Sequence, residues 1–179
     1  MPGKENDLEK FRSMRYIFDR NHTEMEDFFE SGSEDLREER RVVHNFLASA
    51  YTLTEHEENV ADRTGIDAYT WLKENDVLRY VGLMRDIRKI VQHIYEPPVG
   101  HGEDLEETDG DSHTQYFIHR EKLDKLISRT EDREWRSESE KILEPYGEKI
   151  NLRELMKEIY TELDGFFDWF HKELQDTAV

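Results

Sequence analysis

One arginine and one histidine, Arg88 and His93, are spaced so that together they could act on a phosphodiester. They fall at the end of a predicted helix that stops at the Pro97–Pro98 pair. An arginine can hold a phosphate or its trigonal-bipyramidal transition state, and a histidine can move a proton near neutral pH. The pattern Arg, four to six residues, His is weak evidence alone. About two chance matches to it are expected in a chain with fifteen arginines and eight histidines. The chain has two other matches, Arg15–His22 and Arg37–His44.

A polar stripe on the preceding long helix could assist Arg88. Asn45, Ser49, Thr52 and His56 are spaced four, three and four residues apart, so they lie within about 60° of one another at the edge of the apolar face. Small polar groups at the edge of a core need partners, which an arginine from a neighbouring helix would supply. The stripe therefore predicts that Arg88 packs beside it. The alternative is a hydrogen-bonded seam with a purely structural role.

The other polar residues of the Arg88 helix allow two interpretations. Arg85 and Gln92 share a face and could extend a phosphate-binding edge. Arg88 and His93 lie about 140° apart on an ideal helix, so His93 would have to turn toward Arg88 in the last helical turn. Alternatively, the arginines and Lys89 form a solvated basic face.

The motifs of metal and cofactor sites are missing. The chain has no cysteine and no HExxH pair, and the acidic segment 99–114 lacks the calcium-loop pattern. It also lacks a Walker A motif and a dinucleotide-binding glycine pattern. We therefore expect neither a metal site nor a cofactor.

The charge of the chain predicts its surroundings. Asp and Glu outnumber Lys and Arg by 43 to 25, a formal net charge of −18. Such an acidic surface is typical of adaptation to molar salt, where screening removes self-repulsion; the alternative is an acidic or partly disordered mesophilic protein. No apolar stretch is long enough for a membrane span or a signal peptide, so we expect a cytoplasmic protein.

Helical periodicity dominates the chain and predicts a single all-α domain over residues 1–179. Long helices are expected at about 7–30, 34–62 and 76–95, and a last helix begins at an Asn151 cap with Glu154. The acidic loop 99–114 and one short extended segment, 115–120, follow the third helix. Further helical segments are predicted at about 121–129 and 132–144.

The last helix carries a wide apolar stripe. This stripe could be core or a subunit interface, and it motivates the prediction of a homodimer. Its residues are Leu152, Met156, Ile159, Leu163, Phe166 and Phe170.

Residues 41–56 and 83–93 together resemble the paired long helices of the HEPN superfamily, and the core of the resemblance covers about residues 35–98. The resemblance implies an antiparallel helical bundle, often dimeric, with residues 121–176 as a C-terminal helical extension. Many HEPN domains are metal-independent ribonucleases of toxin or defence systems, and Arg88 and His93 match their Arg–His signature. Active members usually have Asn, Asp or His after the arginine, where this chain has Lys89.

Two hypotheses follow. The first is a non-catalytic HEPN-like module that binds a protein or RNA partner. The second is an endoribonuclease in which His93 moves the proton of the attacking 2′-hydroxyl and Arg88 stabilises the pentacoordinate phosphate. In the second, Asn45, Ser49 or His56 would orient Arg88.

Overall fold

The computed structural model is a bundle of long helices with a small sheet. Side chains are described over 6–33, 35, 37–85, 87–88, 120–121, 124 and 141–177. The backbone is described over residues 2–33, 35–93, 99–103, 114–121, 124 and 141–177. Most of the predicted helical segments 121–129 and 132–144 lies outside the described residues, as does the middle of the acidic loop, 104–113.

The first two helices are 29 residues each: α1 is Pro2–Glu30 and α2 is Leu36–Thr64. Asp35 is the N-cap of α2, because its carboxylate accepts hydrogen bonds from the backbone N–H of Arg37 at 2.9 Å and of Glu38 at 3.3 Å. At the other end Gly65 adopts φ 76°, a left-handed conformation that glycine takes without strain, and closes the last turn. Both helices confirm the prediction made from the helical periodicity of the sequence.

A short helix, α3 (Ala68–Glu74), connects α2 to α4 (Leu78–His93). Asp67 caps α3 through the backbone N–H of Thr70, 3.1 Å away. Asp76, at φ 62°, makes the turn between the two helices. This turn sets the direction in which α4 runs back along α2.

Three short antiparallel strands precede the last helix: β1 (Val99–Glu103), β2 (Thr114–His119) and β3 (Lys149–Asn151), in the order β1-β2-β3. Val99 pairs with Ile118, and Ile118 pairs in turn with Ile150. The all-α class is confirmed for the bundle, but the limit of one extended segment is wrong. The ends of the predicted loop 99–114 belong to strands. A lone β2 would leave its backbone N–H and C=O groups unpaired, and β1 and β3 supply the hydrogen-bonding partners.

The last helix, α5 (Leu152–Thr177), begins at the predicted residue. The Asn151 side chain accepts a hydrogen bond from the backbone N–H of Glu154 at 3.2 Å, which confirms the cap. Its apolar stripe is fully buried within the chain, against α1, α2 and α4. That burial removes the stripe as an argument for a homodimer.

Ion pairs and polar contacts show that neighbouring helices run antiparallel. Asn21 of α1 bonds to Asn45 of α2 and Arg63 of α2 pairs with Asp7 of α1, so positions rise on one helix as they fall on the other. The same holds for α1 and α5, because Arg153 pairs with Glu26 and Arg12 bonds to His171. No described helix is both long and apolar enough to cross a membrane.

Candidate functional site

Arg88 lies against a tyrosine of α2. Its guanidinium carbon is 3.9 Å from the centroid of the Tyr51 ring, and that of Arg85 is 5.8 Å from the same ring. Arg85 Nη2 also pairs with Glu58 Oε1 at 2.5 Å. Since Arg85 meets Glu58 and Arg88 meets Tyr51, α4 runs antiparallel to α2, as predicted. Arg85 and Arg88 of α4 therefore both contact the Tyr51 ring of α2.

The Tyr51 ring is fixed from its own helix. Its hydroxyl donates a hydrogen bond to the Glu55 carboxylate one turn later. That hydrogen bond raises the pKa of Tyr51, with burial and the Glu55 charge adding to it, while the two arginines oppose the rise. The phenol therefore stays neutral near physiological pH and presents its π-face to Arg88. A cation over an aromatic face contributes about 0.5 to 2 kcal/mol, depending on its desolvation.

Arg88 keeps unused hydrogen-bonding capacity. Its Nε atom is buried and has no hydrogen-bond partner among the described residues. A guanidinium has five N–H donors, and the π-contact satisfies none of them as a hydrogen bond would. Arg88 thus contacts the Tyr51 ring, and its buried Nε–H has no acceptor among the described residues.

The polar stripe of α2 lies elsewhere. Asn45, Ser49 and Thr52 line a groove of about 260 Å³ between α2 and α1. We call this surface the α1–α2 groove. Its other lining residues are Met14, Ile17, Asn21 and Ala48.

The hydroxyls of the stripe are already satisfied within α2. Ser49 Oγ donates to the Phe46 carbonyl and Thr52 Oγ1 to the Ala48 carbonyl, each at 2.8 Å. The Asn45 carbonyl accepts from Asn21 Nδ2 at 3.1 Å. These contacts match the structural seam that was the alternative interpretation of the stripe.

His56 also faces α1. It is buried, and its burial lowers the pKa, as does the nearby charge of Lys10, while the backbone and carboxylate of Asp7 raise it. Its Nε2 atom has no hydrogen-bond partner among the described residues. His56 is therefore a neutral buried imidazole at the α1 side of the bundle.

The prediction that Arg88 packs beside Asn45, Ser49 and His56 is wrong. At about 100° per residue, Tyr51 lies roughly 120° to 160° around α2 from each of them. A helical wheel gives the angle between side chains of one helix but not the neighbour that each side faces. Here α1 takes the side with the stripe and α4 takes the side with Tyr51.

The remaining predicted residues belong to the last turns of α4. The backbone of Gln92 and His93 is helical, and His93 is the final residue of α4, but both side chains lie outside the described residues. The pairing of His93 with Arg88 therefore stays a prediction. Arg85, which was expected to extend a phosphate-binding edge, is engaged by Glu58.

Three contributors on α2 were missed: Tyr51, Glu55 and Glu58. A signal for them was present, because positions 51, 55 and 58 follow the four-then-three spacing of one helix face. A tyrosine between two acids on that face marks a place where arginines of a neighbouring helix could pack.

Two further carboxyl groups of α2 are buried in the core. Glu57 is wholly buried with no hydrogen-bond partner among the described residues, and its burial raises the pKa well above the usual value despite the opposing charge of Arg15. Burial also raises the pKa of Glu39 to about 7, opposed by Arg40. Among the residues that the structure describes, no group of three or more His, Asp or Glu side chains could hold a metal ion.

No protein-family model, curated protein or solved structure matches this chain.

Proposed function

We propose that this chain is a non-catalytic helical interaction module of the HEPN-like type. The observation that carries the proposal is the position of Arg88, whose guanidinium carbon is 3.9 Å from the Tyr51 ring centroid and on a different side of α2 from Asn45 and Ser49. A phosphate-binding arginine would need polar groups nearby that orient the N–H edge of its guanidinium. Here the π-contact gives Arg88 a structural role between α2 and α4.

The antiparallel α2–α4 pair also supports the HEPN-like part of the proposal. Arg88 and the last residue of α4, His93, occupy the helix end that the family signature requires. Lys89, which follows the arginine, favours a non-catalytic member.

The setting proposed for the module is the cytoplasm of a cell with molar internal salt. A net charge of −18 on 179 residues would produce strong self-repulsion at low ionic strength. At about 1 M salt the Debye length falls to about 3 Å, so that repulsion is screened.

A second candidate function is a metal-independent endoribonuclease of toxin or defence type. The specific observation in its favour is the buried Nε of Arg88, which lacks a hydrogen-bond partner among the described residues. In this mechanism His93 would remove the proton of an RNA 2′-hydroxyl, which attacks the phosphorus and expels the 5′-oxygen. Arg88 would hold the charge of the phosphorane. The candidate ranks second because Asn45, Ser49 and His56 face α1.

One experiment separates the two functions. Wild type, Arg88→Ala and His93→Ala are incubated with mixed RNA in molar KCl with EDTA. Arg37→Ala is the matched control, because Arg37–His44 also matches the pattern Arg, four to six residues, His. We expect no cleavage by any of the four folded proteins. Cleavage by wild type and Arg37→Ala alone, with 2′,3′-cyclic phosphate ends, would replace the interaction module with the ribonuclease.

A further inference from the structure

One arginine connects α1 to α5. Arg15 of α1 donates through Nη2 to the Asp164 carboxylate of α5, and through Nη1 to the Asp164 backbone carbonyl at 3.4 Å. Its Nη2 also lies 3.6 Å from Asp168 Oδ1, and its Nε donates to Asp19 of its own helix at 3.1 Å. The Arg15 side chain is only 17% exposed. Three carboxylates therefore surround one largely buried cation where α1 meets α5.

The Arg15 guanidinium also contacts the aromatic core. Its central carbon lies 5.6 Å from the centroid of the Phe18 ring and 5.4 Å from that of the Phe167 ring. Both rings are buried. The guanidinium is thus placed where it meets the acids of the α1–α5 surface and the interior of the bundle at once.

Glu57 of α2 is a carboxyl group in that interior without a partner. Its side chain is wholly buried, and neither oxygen has a hydrogen-bond partner among the described residues. The charge of Arg15 favours its ionisation, and the charge of Glu58, on its own helix, opposes it. Among the residues that the structure describes, α3, α4 and α5 add no further charge there. Arg15 is therefore the cation that an ionised Glu57 would attract.

We propose that Arg15 and Glu57 form a proton-dependent latch between α1 and α5. While Glu57 carries its proton it is neutral, and Arg15 stays with Asp164 of α5. Once Glu57 loses its proton, the buried carboxylate needs a cation or water, because an unpaired buried charge is costly. Arg15 pairs with Glu57 at the expense of Asp164, and water enters where the helices separate. Either response loosens the contact between α1 and α5.

The direction of the response to pH follows from the burial of Glu57. Burial raises the pKa of its carboxyl well above the usual value of 4.5. The closed state therefore keeps a proton that the opened state releases, and opening becomes easier as the pH rises above 4.5. Because opening releases one proton, its equilibrium constant grows about tenfold for each pH unit until the pH passes the folded pKa.

Hydrogen exchange of backbone amides, corrected for the intrinsic effect of pH, measures this opening. Between pH 6 and 8, the protection of α5 amides should fall at least about tenfold more in wild type than in Glu57→Gln, which has the same shape and cannot ionise. Glu57→Met should behave like Glu57→Gln, so the test does not depend on one variant. Glu58→Gln is the matched control, because Glu58 is the next residue but half-exposed, and it should respond like wild type.

Asp164→Asn tests whether Arg15 exchanges partners. Without the Asp164 charge, Arg15 can turn toward Glu57 at less cost. The amides of α5 should then be less protected already at pH 6, and should lose less protection between pH 6 and 8. Asp168→Asn is the matched control, because Asp168 is 76% exposed and lies farther from the guanidinium, and it should behave like wild type.

Three results would overturn the latch. One is an equal fall in α5 protection in wild type and Glu57→Gln, which would remove Glu57 as the group that responds to pH. Another is an equal fall for the amides of α4, since the whole bundle would then unfold. The third is a wild-type response in Asp164→Asn, because Arg15 would then not exchange partners. The latch uses neither Arg88 nor His93, so it stands or falls independently of the proposed function.

Discussion

The two sides of α2 differ in charge in the middle of the helix. On the side that faces α4, ionised groups gather around the Tyr51 ring, with Arg88 over its face and Arg85 paired to Glu58. On the side that faces α1, the groove contains no ionised group. In a chain this acidic, charges are kept where a neighbouring helix can pair them. The unusual surface is therefore the uncharged one.

The core face between these two sides follows a third pattern. Both Glu39 and Glu57 are buried there, and one oxygen of Glu39 and both oxygens of Glu57 have no hydrogen-bond partner among the described residues, whereas Glu58 pairs with Arg85. An unpaired carboxylate is costly to bury, so both groups favour the neutral form. This contrast between paired and unpaired acids of one helix can be measured.

The largest expected effect concerns Glu39. In the unfolded chain its carboxyl loses its proton near 4.5, whereas in the fold the pKa is about 7. The folded state therefore binds more protons between these values, and the free energy of unfolding falls as pH rises from 4.5 to 7. At about 1.4 kcal/mol per pH unit, Glu39 should account for a loss of about 2 to 3 kcal/mol over that window. Urea unfolding should show that the free energy of unfolding of Glu39→Gln falls less than that of wild type across this pH range, by this amount.

Glu58→Gln is the control for this measurement. It removes a carboxylate of the same helix that is exposed and paired with Arg85, so it should cost at most about 1 kcal/mol and leave the loss that Glu39 causes in place. Other titrating groups, such as His56, are present in all three proteins and cancel in the comparison. If the free energy of unfolding changes equally with pH in Glu39→Gln and in wild type, the Glu39 carboxyl is not buried in its neutral form.

The second prediction compares adjacent residues on the two sides of α2. Tyr51→Ala removes the ring that carries Arg85 and Arg88, and should lower the free energy of unfolding by about 2 kcal/mol. Thr52→Ala removes a hydroxyl that bonds only to the backbone of its own helix, and should change stability by less than about 0.5 kcal/mol. The measurement is the urea concentration at the midpoint of unfolding, compared between variants with the same m-value. Equal losses for the two variants would mean that the Tyr51 ring does not hold α4.

The sequence predicted individual elements well because their causes are local. The Asn151 cap of α5, with the backbone N–H of Glu154 as its donor, is encoded by two residues three positions apart. The buried stripe of α5 and the long α1 and α2 follow from periodicity alone. Features that depend on one helix alone, such as its capping residue and its buried face, could therefore be predicted from the sequence.

Arrangements that depend on a choice between neighbours could not be predicted. Ser49 and Tyr51 are two residues apart, yet one faces α1 and the other faces α4, and nothing in the wheel of α2 decides which. The sheet was missed for a similar reason. β1 is a five-residue segment with two glycines and β3 has three residues, so both exist only because β2 pairs with them.

The smallest expected effect tests whether the charged side of α2 depends on salt. Glu58 is half-exposed, so its pairing with Arg85 should be worth about 0.5 kcal/mol at about 0.1 M KCl and close to zero at molar KCl. A double-mutant cycle of Arg85→Gln and Glu58→Gln measures this coupling, and Arg85→Gln with Thr52→Ala is the control cycle, because Thr52 faces the groove. The control coupling should be near zero at both salt concentrations. A coupling between Arg85 and Glu58 that persists in molar KCl would mean that the pair is shielded from solvent ions. The charged side would then hold α2 and α4 together by electrostatics as well as by the Tyr51 ring.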